Sequence, residues 1–358
     1  NDPTVLDFFG GGMGAGSFES WGYSNWNKLY LDAGIDWHGS FNGHNVSGLV
    51  LAKASRYTMP GDSYNVASGV MGFVGRVTYN YKDRYMAEVN VGYNGTEQFA
   101  RGRRFGWFPA YSIGWVPTSE KFFPENDILT FLKIRASYGE VGNDQLGGNR
   151  RFYYLPNTYN LNQGGYWLGN SDGSSQNPYW VGATEGVIGN PDITWESTEM
   201  YDVGIDATLF DKLSVTADWY YKKTHDILLT LDIPSIIGLG APYQNAGTVR
   251  NVGWEVAVGY HNKWRDFSFG VEANLSDVVN KIIDMKGTTG GSGAIRNQEG
   301  SAINSIYGLK CVGMARTQEE ADWVNENCPQ YGVTTKPGDL IYADMDDSGT
   351  IDDKDKVY

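Results

Sequence analysis

The segment Asp344-Met345-Asp346-Asp347-Ser348-Gly349-Thr350-Ile351-Asp352-Asp353-Lys354-Asp355 carries the most specific chemistry in the chain. Counted from Asp344, oxygen-bearing side chains fall at positions 1, 3, 5, 9 and 12, Gly349 at position 6 and Ile351 at position 8. This is the spacing of a calcium loop of the EF-hand kind, in which oxygen ligands converge on a hard cation and a glycine permits the sharp turn. Asp344, Asp346, Ser348, Asp352 and Asp355 would offer side-chain oxygens, and Thr350 its carbonyl. The expected ligand is Ca2+, or Mg2+. Asp355 stands where a longer Glu usually supplies two oxygens, which points to lower affinity or tolerance of magnesium. No amphipathic helices are expected beside the loop, so it is not read as an EF-hand domain. A hydrated acidic turn is the competing reading.

A second cluster lies between Glu140 and Glu196, where Tyr153, Tyr154, Tyr159, Tyr166, Trp167, Tyr179 and Trp180 are interspersed with Asn160, Asn162, Gln163 and Asn170. Flat aromatic faces stack on the C–H faces of sugar rings, and amides bond their hydroxyls. The same residue types suit a protein partner, and they equally suit a small core of the loop's own. Cys311 and Cys328 are the chain's two cysteines; in an oxidising compartment they could bridge, and otherwise they are separate thiols.

Several chemistries are excluded. The four histidines have no zinc-type spacing. There is no nucleophile elbow and no phosphate loop, so an enzyme is not expected. The net charge of −14 argues against nucleic acid, which requires a basic face.

The elements that must position these groups read as strands. From Lys28 to His38, Leu29, Leu31, Ala33, Ile35 and Trp37 alternate with Tyr30, Asp32, Gly34 and Asp36. Ten such segments can be placed: Leu29–Trp37, Val46–Ala54, Met71–Tyr81, Tyr85–Tyr93, Phe108–Val116, Leu132–Tyr138, Tyr201–Leu209, Leu213–Lys222, Trp254–His261 and Phe267–Leu275. A two-residue period with polar partners suits a wall between lipid and water, and many segments approach the 9–11 residues of a tilted bilayer crossing. Tyr or Trp at strand ends (Tyr85 and Tyr93, Trp254 and Tyr260) matches interfacial girdles. The mean hydropathy of −0.41 fits, because half of each strand would face an aqueous lumen. No apolar run is long enough for a transmembrane helix.

Connections alternate short and long. His38–His44, Lys82–Arg84, Asp211–Lys212 and Asn262–Asp266 are short; Ser55–Ala67, Gly95–Gly106, Glu140–Glu196 and Thr224–Thr248 are long. Outer-membrane barrels have short periplasmic turns and long outer loops. The fold class is therefore all-β, a transmembrane antiparallel up-and-down β-barrel. Lumen-facing Arg76, Glu88, Lys133, Arg135, Asp202, Asp206 and Asp218 either line a path or pair across strands. Gly69, Gly72 and Gly75 mark either a close backbone approach or a bulge.

Several phrases, in this order and spacing, resemble the SusC/RagA family of TonB-dependent outer-membrane transporters. They are Gly75-Arg76-Val77-Thr78-Tyr79-Asn80-Tyr81-Lys82-Asp83-Arg84-Tyr85, Phe105-Gly106-Trp107-Phe108-Pro109-Ala110-Tyr111-Ser112-Ile113-Gly114-Trp115, and Leu132-Lys133-Ile134-Arg135-Ala136-Ser137-Tyr138-Gly139-Glu140-Val141-Gly142-Asn143. Ile193-Thr194-Trp195-Glu196, Asp218-Trp219-Tyr220-Tyr221-Lys222-Lys223-Thr224 and Asn251-Val252-Gly253-Trp254-Glu255 follow.

The resemblance implies membership of a barrel of about 22 strands around a plug that this chain does not contain. It further implies a SusD-like lipoprotein lid, energy from a TonB–ExbB–ExbD complex acting through the plug, and an oligosaccharide or peptide cargo. Acidic loops like that at Asp344 occur in this family after the region of Cys311 and Cys328. The location implied is the bacterial outer membrane, in contact with its lipid. The expected organisation is strands and outer loops over 1–277, an extracellular region over 278–343, the cation loop over 344–355, and the start of a further strand at 356–358. The chain reads as part of a longer polypeptide. The alternatives to an importer are a surface-binding or adhesion barrel without transport, and a passive porin.

Overall fold

The computed structural model describes residues 26–58, 66–124, 126–145, 151–155, 159–167, 179–186, 188–231, 233–234, 236 and 238–358. Ten strands form one antiparallel sheet. They are β1 (Asn27–Phe41), β2 (His44–Thr58), β3 (Ser68–Tyr81), β4 (Tyr85–Thr96), β5 (Phe105–Trp115), β6 (Leu129–Asn143), β9 (Glu196–Leu209), β10 (Leu213–Thr230), β11 (Tyr243–Trp264) and β12 (Phe267–Asp284). Each pairs with its neighbour in that order; β7 (Tyr159–Trp167) and β8 (Tyr179–Glu185) form a separate hairpin between β6 and β9. This is the meander expected from alternating tight and long connections.

All the tightest turns lie at one end. Asn42-Gly43 joins β1 to β2, and both residues have positive φ, the geometry whose twist matches antiparallel strands. Lys82 and Asp83 adopt positive φ between β3 and β4, as do Phe210 and Asp211 between β9 and β10. The Asn80 side chain holds the first of these: its Oδ1 accepts from the Asp83 backbone N–H at 2.9 Å, and its Nδ2 donates to the Asp83 carboxylate at 2.6 Å.

The register confirms two chemically distinct faces. One carries the row Tyr111, Tyr138, Tyr201 and Tyr221 across β5, β6, β9 and β10, with ring centroids 4.9–6.3 Å apart. Inward along the same face lie Val203, Trp219 and Trp254 at matched positions, all left exposed. Near the tight turns a second aromatic group gathers Tyr81, Tyr85 and Trp115. Apolar side chains held between two aromatic belts are the signature of a lipid-facing surface. The opposite face holds Arg135, Asp202, Asp206, Asp218 and Glu255. Among the described residues no helix is long and apolar enough to cross a membrane.

The strands outrun their sequence expectation. β10 and β11 continue to Thr230 and back to Tyr243, so strand takes up both ends of the expected long loop at Thr224–Thr248. The reason is physical. Alternation arises only where lipid wets one face; above the membrane both faces are wet or packed on loops, yet the backbone ladder continues. β12 likewise runs on to Asp284, past the expected division at residue 277. The bulge suggested by Gly69, Gly72 and Gly75 is absent, since β3 pairs in unbroken register on both sides. Gly72 instead makes room for Asn94, whose side chain a Cβ there would strike.

Beyond β12, residues 285–358 form small two- and three-stranded sheets and one helix, α1 (Gln318–Asn327). Lys356–Val357, expected to open a further barrel strand, pairs instead with Gly308–Leu309.

Candidate functional site: cation loop, outer rim and lumen wall

The Asp344 loop has the predicted turn. Asp347 and Gly349 both adopt positive φ (55° and 78°), a region where only glycine escapes a steric cost. Asp344 accepts the Gly349 backbone N–H at 2.7 Å and that of Ser348 at 3.1 Å, and the Asp346 carboxylate also accepts from Ser348. Asp355 is fully buried; its two oxygens accept the N–H groups of Met345 and Asp352, each at 2.7 Å. Those bonds, that of Asp352 foremost, hold the Asp355 carboxyl below the usual carboxylate range. Carboxylate oxygens of Asp344, Asp346 and Asp355 all lie within 4.8 Å of one another.

Three of the six predicted ligands therefore converge. The hydroxyl of Ser348 donates to the Thr350 carbonyl at 2.9 Å, so this pair sits beside the cluster and bonds to itself. Asp352 departs from expectation: its side chain caps the following turn by accepting from the Lys354 N–H at 2.7 Å. An all-oxygen set of three carboxylates fits a hard divalent ion, whose charge would offset their mutual repulsion.

Ile351 explains how the loop is held. It is buried, as are Ala315, Ala321 and Val324, and its backbone bonds Pro329 and Tyr331 just after α1. The helix was not expected from the sequence. Its signal was present: Thr317 caps the Glu320 N–H, and Glu320 reaches back to the Arg316 N–H at 2.7 Å, close to the reciprocal pattern of a capping box. Cys311 and Cys328 are free thiols, so the expected bridge is not formed. Burial pushes the Cys328 thiol up, and the Asp344 and Asp355 carboxylates add to this, favouring its protonated form.

The outer rim has a core that the sequence did not reveal. Phe99, Phe108, Tyr153, Ile193 and Trp195 are buried together, with Leu228 and Tyr243 packed against them. The Trp195 indole N–H donates to the Arg104 carbonyl at 3.1 Å. Asn245 spans Thr194 and Asp226, Asn190 bonds the Tyr243 carbonyl, and Arg103 pairs with Asp192 at 2.8 Å. Three connections and the tips of β10 and β11 are thereby joined into one body.

Tyr153 is corrected by this arrangement. It is 3 % exposed, with its ring 4.5 Å from that of Tyr243, and belongs to the rim core rather than to a ligand surface. Tyr154 is half-buried and meets Phe152 edge-on. Tyr159, Tyr166, Trp167, Tyr179 and Trp180 lie on the β7–β8 hairpin, where Tyr166 is opposite Trp180 and Trp167 opposite Tyr179. Their side chains, and those of Asn160, Asn162 and Gln163, lie outside the described residues, as does Asn170 altogether.

On the lumen wall, pairing prevails. Arg135 of β6 contacts Asp218 of β10 at 2.6 Å, and Asp206 and Asp202 of β9 at 3.2 and 3.3 Å, one cation shared by three acids from two neighbouring strands. Arg76 bonds Asn90 at 2.7 Å and lies 3.5 Å from Glu88. A cavity of about 420 Å³ opens beside Glu88, Lys133, Arg135 and Asp202. Arg135→Met is expected to destabilise the sheet by about 1–3 kcal/mol, between the ranges for exposed and buried pairs because Arg135 is partly wet. Adding Asp206→Asn should recover part of that loss by relieving like charge. Thermal unfolding midpoints of the single and double variants in detergent check both expectations.

Comparison with known proteins agrees with this geometry. Residues 4–302 match the family described as TonB dependent receptor-like, beta-barrel. TonB-dependent receptor P26 of Formosa agariphila is 29 % identical over 80 % of this chain, and TonB-dependent receptor SusC of Bacteroides thetaiotaomicron 26 % identical over 82 %. The chain spans 28 % of the length of each of these curated relatives. The RagAB peptide importer in its closed-closed state matches with a TM-score of 0.66 at 18 % identity, over 90 % of this chain and 37 % of the solved one. The SusC/RagA resemblance read from the motifs is thus upheld, and the lipid-facing belts have their setting in the outer membrane. A two-faced ten-stranded meander with long outer connections, matched along most of its length, places this chain in the TonB-dependent receptor β-barrel family.

Proposed function

We propose that this chain forms part of the wall and outer rim of an energy-dependent outer-membrane importer that takes up oligosaccharides or peptides. The observation that carries the reading is the two-faced sheet: lipid-facing apolar rows on one side, and on the other a polar wall on which Arg135 is shared by Asp202, Asp206 and Asp218. Such a wall passes a hydrated cargo without trapping it. SusC and RagAB among the similar proteins support a SusD-like lipoprotein lid above the rim, and energy from a TonB–ExbB–ExbD complex acting through a plug. The β7–β8 hairpin, whose register pairs Tyr166 with Trp180 and Trp167 with Tyr179, is the surface offered to cargo or lid. The organisation is membrane strands through β12, an outer region including α1, and the Asp344 loop as a rigid corner of it. In that corner Asp344, Asp346 and Asp355 hold Ca2+ or Mg2+, with Ser348 and Thr350 beside them; the ion would supply charge neutralisation only.

The test is uptake by cells carrying the full-length protein. Labelled oligosaccharide and peptide pools are offered with and without an intact TonB complex. Uptake that requires TonB and the neighbouring lipoprotein is expected. Uptake that survives loss of TonB would instead make this a passive porin, and binding with no uptake an adhesion barrel.

A further inference from the structure

The lipid-facing side carries a feature that import does not use. Just outward of the Tyr138, Tyr201 and Tyr221 belt, the register places Glu199 of β9 opposite Lys223 of β10, Lys223 opposite Arg250 of β11, and Arg250 opposite Lys281 of β12. Three cations are thus consecutive cross-strand neighbours. Like charges directly opposite one another on a sheet repel and destabilise the pairing. Their own surroundings do not neutralise them. None of the three forms an ion pair among the described residues, and Glu199 lies instead 3.6 Å from His225. The Arg250 Nε is shielded from solvent and has no hydrogen-bond acceptor among the described residues, a costly state for an N–H donor. The nearest acid inward on the same face is Asp277 of β12, opposite Trp254 rather than opposite any of the cations.

We propose that Lys223, Arg250 and Lys281 bind the phosphate group of an acylated glycolipid of the outer leaflet. The setting favours this ligand over a soluble anion. The acyl chains would lie along the apolar rows below, the Tyr belt marks the headgroup level, and the row of cations sits one step above it. An Arg flanked by two Lys offers forked and point-charge donors to the same phosphate oxygens. With a phosphate bound, the repulsion along the row becomes attraction to a shared anion.

The experiment uses the full-length protein in detergent, titrated with monophosphoryl lipid A and with the same lipid dephosphorylated, bound lipid being read by native mass spectrometry. The phosphorylated lipid should bind preferentially. At about fivefold per surface cation, the triple variant Lys223→Gln, Arg250→Gln, Lys281→Gln should lose on the order of 100-fold in affinity for it, with the dephosphorylated lipid unaffected. If the triple variant does not fold, judged by heat-modifiable gel mobility, the exposed Lys281→Gln alone should lose about fivefold. Equal binding of the two lipids, or affinity unchanged in the variants, would overturn the site. Displacement of the lipid by millimolar inorganic phosphate would overturn the lipid assignment and leave a plain anion patch.

Discussion

Trp195→Ala is expected to dismantle the outer rim while sparing the membrane-spanning sheet. The indole contacts Phe99 and Phe108 with centroids 5.5 and 5.3 Å away, and it ties down the Arg104 carbonyl. Truncation would leave a cavity at the centre of the cluster, with a cost of about 3–5 kcal/mol for a buried aromatic. That cost falls on a local body joined to the barrel mainly through β10 and β11, so local opening is the expected outcome rather than global unfolding. Limited proteolysis should show rapid cleavage around 97–104 and 188–195, with heat-modifiable mobility retained. Loops as resistant as those of the parent protein would show that the rim does not depend on this core. If the rim presents the β7–β8 hairpin, the same variant should also lose uptake without losing membrane insertion.

Asp355→Asn should abolish cation binding at the Asp344 loop. The two Asp355 oxygens each accept a backbone N–H, and a carboxylate can do so at both. An amide has only one such oxygen, and its NH2 group would face a donor. The variant thus removes a charge from the three-carboxylate cluster and disturbs the bonds that shape it. A loss in calcium affinity of about 100-fold or more is expected, since even indirect contacts to a metal ligand are worth 10–100-fold. Titration calorimetry on the full-length protein reads this directly, and unchanged affinity would remove the assignment.

The same group sets a pH dependence. Its carboxyl is held low in the folded loop, so its contribution to stability is fully present above the ordinary aspartate range. It is lost as pH falls through the depressed folded value. Protease resistance of residues 308–357 should therefore hold through mildly acidic pH and fail only in stronger acid. Asp355→Asn should be weak throughout and lack that acid step.

These outcomes separate what could be read along the chain from what could not. All ten membrane strands were legible, because each faces lipid on one side and water on the other, and that asymmetry shows in alternate residues, blurred in β2 by Leu49 and Leu51 and weaker in β5. Leu213, Val215, Ala217 and Trp219 announce β10 with no knowledge of its neighbours. The turn at Gly349 and the acid spacing around it were equally local. Legibility ended where the membrane did: β10 and β11 climb past their alternating stretch because backbone pairing needs no lipid.

The tertiary structure alone decided which residues meet. Phe99, Tyr153 and Trp195 come from separate connections and Phe108 from β5, and nothing in their spacing tells a buried ring from a sugar platform. Asp352, at the ninth position of the cation loop, was drawn off by a neighbouring backbone N–H that spacing does not reveal. The sharing of Arg135 by Asp202, Asp206 and Asp218, and the row of Lys223, Arg250 and Lys281, exist only once the register of several strands is set. Period tells a strand which face it shows, but its register with other strands tells it whom that face confronts, and charge acts across strands rather than along them.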